Sequence, residues 1–253
     1  MPENIIVIKK NNVAYIQLSK NPLNILGIED LEYINKILVE LNADDQLKLI
    51  VFESLLKDFS AGMDVKEHTP DKIGKMLGGL YSLANVLLSS KYPTISKVKG
   101  ACLGGGMEIA LLTDMILASE NTIMGLPEIK LAHMAPIAIN VLPNIVGPKV
   151  SMDIILSGKN VSANEALGLN LINRIYSEES FENSCNEFIE ELTSLSQAAI
   201  LANIKAFRLV IKEKLDLKQK QIYKIYQNDL MTHPDSVEGI NAFIYKRTPE
   251  WKL

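Results

Sequence analysis

Cysteine is nearly absent from this 253-residue chain, with Cys102 and Cys185 the whole complement. Two thiols cannot build a disulfide framework, and neither has the clustered partners that a structural zinc site needs. A reducing, cytoplasmic setting is the expectation. An excess of positive charge is also missing. Lys and Arg number 26 against 30 Asp and Glu, a formal net charge of −4, which excludes a general electrostatic grip on nucleic acid. Any anionic ligand must be held locally. No stretch of about 18 or more uncharged apolar residues occurs. The segment Met1-Pro2-Glu3-Asn4-Ile5-Ile6-Val7 shows no basic region running into an apolar one, so neither membrane spanning nor export is expected. Internal repeats and low-complexity linkers are missing too.

What is present suits a large core. Hydrophobic residues make up 47% of the chain, enough for one large domain or a main domain with an appendage. Ile5 to Lys9 and Val13 to Leu18 read as strands joined by a polar turn at Lys10-Asn11-Asn12. Ile28, Leu31, Ile34, Ile37, Leu38 and Leu41 recur at helical spacing, and Leu47 to Glu53 returns to an apolar strand. Gly74 to Leu88 reads as a second amphipathic helix. After Pro93 come a strand at Thr94 to Val98, a helix from about Gly105 to Thr113, and short strands at Met115 to Ala118 and Thr122 to Met124. Such alternation is expected when crossover helices cover a sheet. Beyond Pro136 the pattern becomes helical: Ile137 to Ile145, Pro148 to Leu156, Ala163 to Leu167, Glu178 to Leu195 and Gln197 to Lys214, with a strand only at Leu171 to Ile175. From Leu215 onward lysines alternate with Ile222, Tyr223, Tyr226 and Leu230, as in helices that pack on a partner or on their own core.

Two short segments carry the chemistry, Phe59-Ser60-Ala61-Gly62-Met63-Asp64 and Leu103-Gly104-Gly105-Gly106-Met107-Glu108. Bare glycine backbone lets a ligand approach closely, and a helix starting in the glycine run directs unpaired N–H groups and its positive dipole end at that ligand. Negative charge developing on an oxygen would be stabilised there. Glu128, in Gly125-Leu126-Pro127-Glu128, adds a second carboxylate to Glu108. The glycine run lacks both the Lys-Ser/Thr of a phosphate loop and the spaced glycines of a dinucleotide fingerprint. Taken singly, each feature has a plain explanation: tight helix–strand packing for the glycines, dipole complementarity for Glu108, a solvated loop acid for Glu128.

Taken in order, the motifs resemble the crotonase superfamily, the enoyl-CoA hydratase and isomerase family, over essentially the whole chain. The resemblance rests on Phe59 through Lys66, Gly100-Ala101-Cys102-Leu103-Gly104-Gly105-Gly106-Met107-Glu108, Gly125 through Glu128, Leu156-Ser157-Gly158 with Ser162 through Ala166, and Glu238-Gly239 with Phe243, Lys246-Arg247 and Pro249. It implies an α/β fold, a spiral of repeated ββα units over residues 1–195, with a helical C-terminal region at 196–253 that builds a homotrimer, often paired into a hexamer. It also implies an acyl-CoA thioester as substrate. The N–H groups of Ala61 and Gly105 would hold the thioester oxygen, Glu108 would activate water, and Glu128 would deliver the α-proton. Ser60, Gly62, Met63, Asp64, Val65, Gly104, His133, Phe243 and Lys246 are the further substrate-contacting candidates. No metal or redox cofactor is implied.

Several of these residues also have bland readings. Asp64 can cap the following turn, His68 reads as a surface polar residue, and Cys102 reads as core filler. Lys246 and Arg247 usually mark a solvated helix end, although in the family a neighbouring subunit's Phe and Lys can border the CoA nucleotide. The segment Lys130-Leu131-Ala132-His133-Met134-Ala135-Pro136 departs from the glycine-rich stretch of many straight-chain hydratases. With Val65 through Pro70, it is similar to hydratases of cyclic dienoyl-CoA esters in anaerobic aromatic degradation. The expected activity is addition of water to an enoyl-CoA, with cyclohexa-1,5-diene-1-carbonyl-CoA as the narrower substrate. A double-bond isomerase and a non-catalytic acyl-CoA-binding scaffold are the alternatives.

Overall fold

The computed structural model describes residues 4–252, with the side chains of 211–217 set aside. Strands β1 (Ile5–Lys10) and β2 (Val13–Leu18) pair antiparallel from Ile5↔Leu18 to Lys10↔Val13. Asn11 and Asn12 turn between them at φ 51° and 64°, the left-handed region that asparagine tolerates better than most residues. The chain continues through β3 (Ile25–Leu26), α1 (Ile28–Asn42), β4 (Leu49–Ser54), β5 (Gly62–Met63), α2 (Ile73–Leu88), β6 (Thr94–Val98) and β7 (Ala101–Leu103). Next come α3 (Gly105–Leu112), β8 (Met115–Ser119), β9 (Ile123–Gly125), α4 (Pro136–Ile145), α5 (Pro148–Ser157) and β10 (Asn160–Ser162). The last elements are α6 (Ala163–Gly168), β11 (Arg174–Tyr176), α7 (Phe181–Ser194), α8 (Gln197–Ile225) and α9 (Pro234–Ile244).

The main sheet runs β1-β2-β4-β6-β8-β11 and is parallel except for the first pair. Both of its faces are covered, as parallel sheets require. Period-two alternation sorts the strand residues: Ile50 and Phe52 point into the core shared with α1 and α2, while Leu49 and Val51 join Val13, Ile95 and Leu117 against Phe181, Cys185 and Ile189 of α7. The helical spacing read for α1 holds, with Ile28, Leu31, Ile34, Ile37, Leu38 and Leu41 all buried.

Two small sheets position the chemistry. One is β10-β9-β7 and the other is β3-β5. An isolated bridge between Ser60 and Cys102 ties them together, with Ser60 N–H donating to the Ala101 carbonyl at 3.0 Å and Leu103 N–H to the Ser60 carbonyl at 2.9 Å. These two-residue and three-residue strands are too short for a periodic signal.

Helix α8 is longer than the sequence pattern suggests. It continues past Lys214 to Ile225 and closes in a π turn at Tyr226–Leu230, where the Met231 N–H reaches the Tyr226 carbonyl at 2.9 Å. Tyr223, Tyr226 and Met231 enter the same core as α1 and α2. The region from 196 onward therefore helps enclose the interior as well as presenting an outer surface. Among the described residues, no helix is long and apolar enough to cross a membrane.

Candidate active site

The bridge between Ser60 and Cys102 sets the two motif segments side by side, and the contact between them needs glycine. A Cβ on Gly106 would fall 2.7 Å from the Ser60 Cβ, and one on Gly105 would strike Met63 Cγ and Cε at 2.5 and 2.6 Å. Gly104 turns the chain into α3 at φ 52°, and a Cβ there would sit 2.9 Å from Glu128 Oε1. Its own N–H donates to the Gly125 carbonyl at 2.8 Å, joining the glycine run to the strand that leads to Glu128. Ala61, Gly62, Met63, Val65, Gly104, Gly105, Glu108, Glu128 and His133 all line one cavity, walled by Ile73, Met76, Leu77, Leu80, Met134 and Pro136.

One expected donor is corrected. Ala61 faces the cavity, but its N–H already donates to the Leu23 carbonyl at 2.9 Å, so it has no hydrogen bond left for a ligand. Asp64 N–H is likewise spent on the Leu26 carbonyl at 2.8 Å. Successive N–H groups along a strand point to opposite sides, so the Met63 N–H turns away from β3. The start of α3 lies close by, for a Cβ on Gly62 would be 3.4 Å from the Gly105 nitrogen. Gly105 opens α3, where the first N–H groups have no acceptor within the helix.

Glu108 sits one turn into α3 and is buried. Its Oε1 accepts the Ile137 and Ala138 N–H groups at 2.7 and 3.1 Å, satisfying orphan donors at the start of α4. Glu128 lies on the 3₁₀ turn Pro127–Leu131. As a residue it is half-buried, yet its Oε2 is sealed from solvent with no hydrogen-bond partner among the described residues. Burial raises both carboxyls above the ordinary range. The two α4 donors pull Glu108 partly back, whereas the negative charge of Glu108 pushes Glu128 further up. The ionised form is therefore better supported on Glu108, which has two backbone donors, than on Glu128, whose buried Oε2 has none.

His68 is the second correction. Rather than a surface residue, it is half-buried and lines the cavity, its ring edge-on to His133 at 5.2 Å between centroids. His133 is buried, with Nδ1 2.8 Å from the Tyr226 hydroxyl. Burial, then the neighbouring His68, holds its pKa down at about 3, so the ring stays neutral. Tyr226 lines the cavity from the π turn. No spacing rule connects His68, His133 and Tyr226, which lie far apart in the chain. The one available signal for Tyr226 was the apolar stripe it shares with Tyr223.

The remaining candidates divide. Ser60 is buried and structural, donating to the Asn24 carbonyl at 2.7 Å while accepting the Gly62 N–H at 3.1 Å. Asp64 caps the short turn Val65–Glu67 by accepting the Lys66 N–H at 2.9 Å. Cys102 is fully buried, and desolvation pushes its thiol far above the ordinary range, which makes it an inert core residue. Phe243 and Lys246 are exposed at the end of α9 and lie outside the cavity lining.

A sequence profile described as enoyl-CoA hydratase/isomerase matches residues 8–253. The chain is 28% identical over 244 residues to the cyclohexa-1,5-dienecarbonyl-CoA hydratase of Thauera aromatica, covering 96% of this chain and 94% of that protein. It is also 28% identical over 264 residues to the carnitinyl-CoA dehydratase of Escherichia coli K12, covering 100% and 99%. In fold it matches an enoyl-CoA hydratase crystal structure from Mycobacterium avium subsp. paratuberculosis K-10, with a TM-score of 0.89 at 24% identity over 99% of both chains.

Proposed function

The chain belongs to the enoyl-CoA hydratase/isomerase family, and from that premise we propose that it adds water reversibly across a double bond conjugated to a CoA thioester. The observation that carries this reading is the placement on one cavity of two carboxyls, Glu108 holding two backbone donors and Glu128 with an unpartnered buried oxygen, beside the N–H of Gly105 at the start of α3. Hydration sends negative charge to the thioester oxygen as water approaches the β-carbon. The Gly105 N–H, joined by that of Met63, meets this charge. Each such donor is worth on the order of 10²- to 10³-fold in rate. Glu108, ionised, takes the proton from water, and Glu128, protonated, delivers one to the α-carbon. The polarising work falls to the backbone, so the reading asks for no metal or redox cofactor.

Among substrates, cyclohexa-1,5-diene-1-carbonyl-CoA is proposed, supported by the Thauera relative and by the bulky Leu131 and Met134 on the wall. A homotrimer, or a pair of trimers, is proposed as the assembly. Phe207, Leu209 and Val210, exposed on α8, support it, and sedimentation would test it. Turnover of the dienoyl thioester against crotonyl-CoA, with product analysis, tests the activity. A strong preference for crotonyl-CoA would end the cyclic assignment. A shifted double bond without gain of water would replace hydration by isomerisation.

A further inference from the structure

Glu108 is only as well supported as the two N–H groups that face it, and those belong to another element, the first turn of α4. What grips that turn lies on α8. Gln219 is buried there, its Nε2 donating to the Pro136 carbonyl at 3.2 Å while its Oε1 accepts from Asn140 Nδ2 at 2.6 Å. A carbonyl can only accept, so Pro136 dictates which end of the Gln219 amide faces it, and that end in turn dictates how the Asn140 amide is turned. One side chain thus holds α4 at its first residue and again one turn later. Pro136 immediately precedes Ile137 and Ala138, the two donors to Glu108 Oε1. A buried amide is unfavourable unless it is hydrogen-bonded, and an apolar side chain would fill the same space without that cost. Packing alone gives no reason for glutamine at this position.

We propose that Gln219, locked to Asn140, is a positioning residue: by holding the first turn of α4 it keeps the Ile137 and Ala138 N–H groups on Glu108. The inference rests on the reading of Glu108 as the base that activates water and deepens it, because a carboxylate held by two donors stays ionised in a buried site that otherwise favours its neutral form. Among the described residues, the ionisable groups that face Glu108 are Glu128 on the 3₁₀ turn, Tyr223 of α8, Tyr226 of the π turn, and His68 and His133 across the cavity. Helix α4 carries no charged residue, and α2 presents only Ile73, Met76, Leu77 and Leu80 to the cavity. Burial keeps both phenols and both imidazoles neutral near pH 7. Glu128 is then the group that titrates beside Glu108.

The test titrates Glu108 directly. Carboxyl carbon-13 NMR of glutamate-labelled protein, in a Glu128→Gln background so that one acid titrates without the other, gives the Glu108 midpoint, assigned by its disappearance in Glu108→Gln. Adding Gln219→Met is expected to raise that midpoint by about one pH unit, as when one of two charge-assisted donors is lost. In the otherwise wild-type enzyme the acid limb of kcat/KM should rise with it, while affinity for saturated cyclohexanecarbonyl-CoA stays within a few fold. Gln219→Met with Asn140→Leu leaves neither amide unpaired, so it should regain the stability lost by the single variant and still show the raised midpoint. If the single variant does not fold, the double variant alone decides. A midpoint that stays at the parent value overturns the proposal, and so does one that returns to it in the double variant together with Tm, since packing would then be the whole role. The titration needs no turnover. A raised midpoint in a protein that hydrates no enoyl thioester retires the activity and keeps the positioning, whereas hydration with an unmoved midpoint retires only the positioning.

Discussion

Gly239 in α9 lies so close to Leu131 that a Cβ on it would fall 1.9 Å from the Leu131 carbonyl oxygen. Leu131 closes the 3₁₀ turn that carries Glu128, so this contact sets how near α9 can come to the site. Gly239→Ala is expected to push α9 and the Glu128 turn apart, lowering Tm and kcat together. Overpacking costs about 1–3 kcal/mol in ordinary cores, and here backbone must yield. Gly78→Ala in α2, where nothing lies within 4 Å of the added Cβ, should be stabilising by about 0.5–1 kcal/mol. Thermal melts of the two variants check the contrast.

Glu108→Gln and Glu128→Gln are each expected to lower kcat by about 10²- to 10⁴-fold. Affinity for a saturated acyl-CoA should stay within a few fold, because neither acid is asked to hold the thioester oxygen. The double variant should be little worse than either single one, since both serve one proton-transfer sequence. Kinetics paired with calorimetry provide the measurement. A parallel loss of binding would make these glutamates positioning groups.

The proposed hydration requires Glu108 ionised and Glu128 protonated. Raising pH from the acid side should switch activity on as Glu108 loses its proton, and further increase should switch it off as Glu128 loses its own. Both limbs of the kcat/KM profile are expected above the ordinary carboxylate range, since burial raises both groups.

Stability should respond with the opposite preference. Unfolded, Glu128 titrates near its ordinary value of about 4.3. Folded, it holds its proton to higher pH, so stability falls as pH rises between the two values. Glu128→Gln removes that loss. Its Tm should match the wild type below about pH 4 and exceed it at pH 8; a variant less stable at pH 8 would contradict the burial argument.

Arg208 of α8 forks onto Asp114, with N–O distances of 2.5 and 2.8 Å, and Asp114 Oδ2 also accepts Thr94 N–H and Oγ1–H at 2.8 Å each. Arg208→Ala leaves a nearly buried carboxylate without its cation, a loss of about 3–5 kcal/mol. Arg208→Lys should recover only part of it, since lysine cannot form the fork. Chemical denaturation measures both.

Much of this molecule was legible from local pattern. The hairpin, α1, α2, β6 and the glycine-run helix follow from periodicity and turn chemistry, which act over a few residues and need no knowledge of the rest of the fold. Both glutamates could be singled out because their motifs occur in order. The two-residue strands β3 and β5 escaped notice because two residues have no period. Gly239 stood in a recognisable motif, but its reason, the Leu131 carbonyl, lies over a hundred positions earlier in the chain.

The amino-acid order by itself determined which segments become helix or strand, where glycine permits close backbone approach, and that two carboxylates would accompany it, because those properties reside in short stretches of covalent chain. Only the tertiary structure decided which amide remains unspent, which carboxyl gains two backbone donors and which keeps a buried oxygen without one, and that His68, His133 and Tyr226 meet. Hydrogen-bond partners and desolvation belong to neighbours in space, and the pairing around the two-residue strand β5 already commits Ala61 to Leu23 and Asp64 to Leu26 while turning Met63 away.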